Sequence, residues 1–130
     1  MGKIGTMLMG NKNLCIPVAE GETIHEASMV AIGEDGYAVA ATKKEGLKVA
    51  GCAMKYVDNS NGKAGDEHVL VRRGAFFQNN DGTIKTTDLL KDCYVTDKNT
   101  VTITAEGSSK AGTILGVEKD GVIVETIGGF

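Results

Sequence analysis

The sequence predicts an all-β domain, a small glycine-rich β-barrel, and three observations carry that prediction. Glycine supplies 18 of the 130 residues and proline only one, so the chain turns on a residue without a Cβ, at about twice its usual share. Short apolar runs recur at roughly ten-residue spacing, divided by Asp-Gly and Asn-rich turns, which is the rhythm of a sandwich or small barrel. Only one short stretch carries a helix-start signal. The length suits a single domain, large enough to bury a core without disulfides or metals.

Taken in order, residues 1–14 show no periodicity and contain Gly2, Gly5 and Gly10. They are expected to form an extended N-terminal arm, with residues 15–130 as the barrel domain. Residues 29–32 and 37–41 flank Gly33-Glu34-Asp35-Gly36, a hairpin signal because Asp-Gly supplies the positive φ of a tight turn. Residues 47–57 are apolar on both faces at their centre (Val49 and Ala53, Ala50 and Met54), which predicts a buried strand. Residues 58–67 read as a polar loop. Residues 68–77 form the next strand run, with Gly74 marking a bulge or sharp bend.

Asn79-Asn80-Asp81-Gly82 is a further turn. The one short helix is expected over residues 87–92, with Thr86 or Thr87 as N-cap and Asp88 in its first turn. Residues 101–104 alternate valine and isoleucine with threonine, a half-buried strand. Residues 113–117 and 122–127 pair across Lys119-Asp120-Gly121.

Charge narrows the function classes. With 14 basic and 17 acidic side chains, the net charge is −3. Nucleic-acid binders neutralise phosphates with basic patches, and anionic membrane surfaces attract basic segments, so neither is an expected partner. No run approaches 18 apolar residues, and the start lacks the long apolar run and cleavage site of a signal peptide.

Cys15, Cys52 and Cys93 are odd in number and widely spaced, with no C-x-x-C pair. They are expected to be free thiols, the latter two as small core residues. A reduced, cytoplasmic place of synthesis follows.

The motifs that suggest chemistry fail on spacing. Counted from Asp58, the fifth position of a calcium loop is Gly62 and the twelfth is Val69, where oxygen ligands are needed. Gly107-Ser108-Ser109-Lys110-Ala111-Gly112-Thr113 lacks a lysine directly after its second glycine and the helix that a phosphate loop requires. His25 and His68 have no recognisable nucleophile near them in sequence. Neither metal nor cofactor is expected, and no catalytic residue is assigned.

Two features suit contacts instead. The arm carries Ile4, Met7, Leu8 and Met9, an adaptable apolar cluster. Arg72-Arg73 is the one basic doublet on a strand, read as a solvated strand end or as an ion-pairing site within or between subunits.

From Gly46 to Gly121 the chain resembles a family of phage and prophage capsid decoration (head-stabilising, cement) proteins. The resemblance runs through Tyr56-Val57-Asp58-Asn59, Gly62, Gly65-Asp66 and Val69-Leu70-Val71-Arg72-Arg73-Gly74-Ala75-Phe76. It continues through Asn79-Asn80, Ile84, Asp88, Cys93-Tyr94-Val95-Thr96-Asp97, Thr100-Val101, Ala111-Gly112-Thr113 and Asp120-Gly121-Val122, with Gly36-Tyr37-Ala38-Val39 upstream. Ile123 stands where the family often has a large aromatic.

The resemblance implies a lambda-type decoration fold, a β-tulip or SH3-like barrel, usually a homotrimer. It implies a non-enzymatic structural protein seated on the outside of an expanded head, with the major capsid protein as partner. The arm would then contact the capsid. Rival readings are another head or tail structural part, a small oligonucleotide-binding barrel, and an enzyme built on His25 or His68 with nearby carboxylates.

Overall fold

The computed structural model describes residues 13–126. Among these the strands are β1 (Asn13–Pro17), β2 (Thr23–Ile24), β3 (Met29–Ile32), β4 (Ala38–Ala40), β5 (Lys48–Ala53) and β6 (Val57–Asp58). Then come β7 (His68–Arg72), β8 (Ala75–Asn80), β9 (Asp92–Asp97), β10 (Thr100–Thr102), β11 (Lys110–Glu118) and β12 (Gly121–Glu125). The domain is all-β, as the glycine-turned pattern predicts.

Two sheets make up the body. One is open, in the order β1-β7-β5-β3-β4, and antiparallel throughout. In the other, β10, β8, β12, β11 and β9 pair in turn and β9 returns to β10, so the hydrogen-bonded ladders run round in a ring. The whole is a barrel-like sandwich rather than one closed barrel. β2 and β6 form a small separate ladder.

Alternation along the strands builds two apolar clusters. One combines Met29, Ala31 and Cys52 of the open sheet with Cys93, Val95, Val101, Ile114, Val122 and Val124 of the ring. The other covers the opposite face of the open sheet with Ile16, Val18, Ile24, Val30, Ala50, Val69 and Val71. β5 serves both, as its two-faced apolar sequence predicts. Ala50 is the extra residue of a bulge, which leaves Ala50 and Ala53 on one side and Cys52 on the other.

Glycines sit where backbones nearly touch. A Cβ on Gly51 would lie 2.2 Å from the Arg72 carbonyl oxygen, and Gly51 has φ +149°. A Cβ on Gly112 would lie 2.3 Å from the Glu125 carbonyl oxygen. Gly74, with φ 147°, turns the chain from β7 in the open sheet into β8 in the ring. The expected run over residues 68–77 is therefore two strands in two sheets.

Three expectations need correction. The helix over residues 87–92 is a single 3-10 turn, Thr86–Asp88, with Lys85 in the N-cap position. Asp88 accepts the Lys85 backbone N–H at 2.8 Å, a bond that helps hold this carboxyl below the usual range, so no threonine caps it. The turn stops because Leu90 N–H bonds the Ile114 carbonyl (2.8 Å) and Ile114 N–H bonds the Lys91 carbonyl (2.9 Å), drawing the chain into the ring.

Second, Asn13 and Leu14, assigned to the arm, pair with Arg72 and Val71 in β1. The remaining arm, residues 1–12, lies outside the described residues. Third, the strand expected over 47–57 ends at Ala53 and resumes only as β6.

Candidate functional site

The outer face of the ring carries exposed apolar side chains. Along β8 and β12, Gln78, Val122 and Val124 are buried, so alternation turns Phe77 and its cross-strand partner Ile123 outward. In β11 a bulge leaves Leu115 unpaired between Ile114 and Gly116 and faces it to solvent. Phe77 is 50 % exposed and Leu115 42 %.

Two glycines let these side chains lie flat. A Cβ on Gly121 would sit 2.5 Å from the Phe77 ring, and one on Gly116 would sit 3.1 Å from Ile123 Cδ1. Phe77 thus rests over Gly121 and Ile123 over Gly116. The result is an apolar stripe across three strands.

Next to Ile114, whose carbonyl it bonds, Leu90 is 75 % exposed at φ 68°. A non-glycine residue rarely adopts that conformation, and held backbone of this kind concentrates at functional surfaces. On its other side, Phe77 borders an open groove of about 300 Å³ lined by Glu26, Ala27, Met54, Arg72 and Phe76.

The residues singled out in the sequence fall elsewhere. Ile4, Met7, Leu8 and Met9 lie outside the described residues. Arg72 is exposed on β7, opposite Asn13 and Cys52, and reaches the groove. Arg73 is half-buried just before the bend at Gly74. His25 packs against Tyr56, ring centroids 5.4 Å apart and tilted by 60°, while His68 is exposed opposite Pro17.

The rejected motifs act as fasteners. Asn59, 2 % exposed, donates from Nδ2 to the carbonyls of Val18, Ala19 and Lys63 at 3.3, 3.0 and 3.0 Å, holding the 58–67 loop over the open sheet. Ser109 Oγ bonds the Lys44 carbonyl and accepts the Leu47 N–H. Ser108 Oγ bonds the Val95 carbonyl. Lys110 pairs with Asp92 at 3.2 Å.

The thiols are free: Cys15 is exposed, and Cys52 and Cys93 are buried. Burial pushes Cys52 up to about 11, against a bond from Gln78. It pushes Cys93 up to about 12, with the Asp92 carboxylate adding to the rise. Neither is an activated nucleophile, which needs a lowered pKa.

Among the described residues no group of three or more His, Cys, Asp or Glu side chains is placed to hold a metal ion. No described helix is long and apolar enough to cross a membrane. A further cleft of about 620 Å³ is open and acidic, with Glu22, Glu34, Asp35 and Glu45 around Lys44.

The stripe went unread in the sequence although its signal was present. Phe76-Phe77 and Val122-Ile123-Val124 place apolar residues on both strand faces, more than a one-sided core consumes. No protein-family model, curated protein or solved structure matches this chain.

Proposed function

We propose that the chain is a structural virion protein, made in the host cytoplasm, that binds the outside of an expanded phage capsid and stabilises the head. It acts by binding and not by catalysis, with the major capsid protein as partner and self-association into a homotrimer. The ordered string of residues from Gly46 to Gly121 prompts this reading, and the apolar stripe of Phe77, Ile123 and Leu115 is the observation that carries it. A flat apolar surface on a closed ladder is preorganised, so little ordering cost opposes docking. In this reading the arm residues Ile4, Met7, Leu8 and Met9 add a second contact, and linked contacts on each trimer multiply effective affinity.

The test is co-sedimentation of the purified full chain with empty expanded heads. The protein should pellet with heads, and Phe77→Ser with Leu115→Ser should weaken binding at least tenfold, about 1.4 kcal/mol. Because both side chains are exposed, melting should change little. Protein that stays in the supernatant at tens of micromolar, or a double variant that pellets like the parent, would overturn the proposal.

A further inference from the structure

The two edges of the open sheet end differently. At β4, Ala38 bridges Val18, its carbonyl accepts the Ala19 N–H at 2.9 Å, and the Glu22 carboxylate accepts the Ala40 N–H at 3.2 Å. That edge is closed. At the other edge, Val18 N–H bonds the Glu67 carbonyl at 2.9 Å, in line with the β1–β7 register.

Alternation of an antiparallel ladder carries the pattern to Ile16 and Leu14, whose backbone groups aim at β7. Those of Asn13, Cys15 and Pro17 therefore point away from the sheet. Among the described residues no hydrogen bond reaches them. Pro17 fits there because the N–H it lacks would face outward.

Edges are commonly guarded by charge, proline or bulges. β1, Asn-Leu-Cys-Ile-Pro, has no charge and no bulge, and its one proline removes a single donor at the strand's end. We propose that β1 pairs antiparallel with β1 of a second copy, about a two-fold axis through Cys15.

The edge is complementary to itself. Cys15 exchanges both bonds with its counterpart, and Asn13 N–H meets the Pro17 carbonyl of the second copy. Only the Pro17 donors are missing. An uncharged strand meets no like-charge opposition from its own copy, and it offers no counter-charge to a charged foreign strand.

Leu70, 37 % exposed and directly opposite Cys15, extends the pairing sideways into an apolar row, Leu70–Cys15–Cys15–Leu70, across the axis. This contact stands apart from head binding and does not rest on it.

The register predicts its own probe. Residues in a hydrogen-bonded antiparallel pair have Cα atoms about 5.5 Å apart, inside the range a disulfide spans. Diamide takes up the two protons and two electrons of a thiol pair, becoming the hydrazine as the S–S bond forms. Treated with diamide at tens of micromolar, the full chain should give a species of twice its mass, linked Cys15 to Cys15 by peptide mapping.

Asn13→Pro removes an outward donor, keeps the thiol and spares the bonds to β7. It should slow cross-linking at least tenfold with melting nearly unchanged. Leu70→Lys, which leaves the β1 backbone untouched, should act in the same direction. No Cys15 link, or equal rates in both variants and the parent, overturns the pairing. So does a third result, in which the protein gives no link but Asn13→Pro weakens head co-sedimentation, since the edge then takes a strand of another protein. Failure of head binding by Phe77→Ser with Leu115→Ser bears only on the capsid reading.

Discussion

The ring and the open sheet are built from five strands each, from similar residues and with the same devices, yet they solve the edge problem in opposite ways. Each has a bulge beside a glycine against which another strand's carbonyl presses, Gly51 under Arg72 and Gly112 under Glu125. Each contributes one buried thiol to the shared core. The ring leaves no strand without two neighbours, so its free surface is its side-chain face, where Phe77, Ile123 and Leu115 lie. The open sheet hides both faces only at β3 and β5; along β7 and β1 it leaves the Leu70–Cys15 side exposed, together with a backbone edge. A closed ladder therefore suits contact through side chains, and an open one suits contact through main-chain bonds.

The sharpest way to break this comparison is to add one methyl group to each bulge. Gly51→Ala meets a backbone oxygen and a φ that L-residues rarely adopt, so it should cost about 3 kcal/mol or more. Gly112→Ala meets only the contact and should cost about 2 kcal/mol. Urea denaturation gives the order. Hydrogen exchange gives the extent: Gly51→Ala should loosen β5 and its neighbours β7 and β3, whereas Gly112→Ala should loosen all five ring strands together, because a ring cannot shift one ladder alone. The reverse order of cost, or exchange confined to β11 and β12 in Gly112→Ala, would show that closure adds no cooperativity.

Next in size is Asn59, which ties the loop covering the open sheet to three backbone carbonyls. Asn59→Ala leaves three carbonyls without this donor and should cost about 2 kcal/mol. Asn59→Asp, nearly the same shape but without the donors, should cost at least as much. Proteolysis should then cut first within residues 58–67, with the ring still protected.

The smallest effect separates the thiols. Both are raised in the folded state, Cys93 further than Cys52. The unfolded chain ionises first, so their contribution is complete below about pH 9 and is lost as pH rises toward the folded values. Stability should fall between about pH 9 and 12, with both thiols contributing alike up to about 11 and Cys93 alone beyond it, so Cys93→Ala should remove more of the total fall than Cys52→Ala. Equal total falls would indicate that the neighbouring Asp92 adds nothing to burial.

Much of this architecture was legible in the residues. Asp35-Gly36 and Asp120-Gly121 mark true hairpins, Gly74 marks a true bend, and the two-faced apolar pattern of β5 reports two cores. What was hidden has physical reasons. β2 and β6 are two residues each, too short for any period. β1 ends in Pro17, which reads as a strand breaker until its N–H is known to face outward. Ring closure depends on the parallel pairing of β10 with β8, a non-local contact that no sequence window contains. The apolar stripe escaped because it joins three strands distant in sequence and depends on a bulge that turns Leu115 outward.

Ring closure also sets an order of events during synthesis. β8 pairs with β12 through Val122 opposite Gln78, so the ladder cannot be completed until a segment far downstream has left the ribosome. Until then β8 carries an open edge, and Phe76 and Phe77 lack their cross-strand partners. Non-local pairings of this kind slow folding and expose sticky intermediates. Each nascent chain therefore passes through a window in which it is most prone to join another chain wrongly. That window closes when Gly121–Glu125 zips into place.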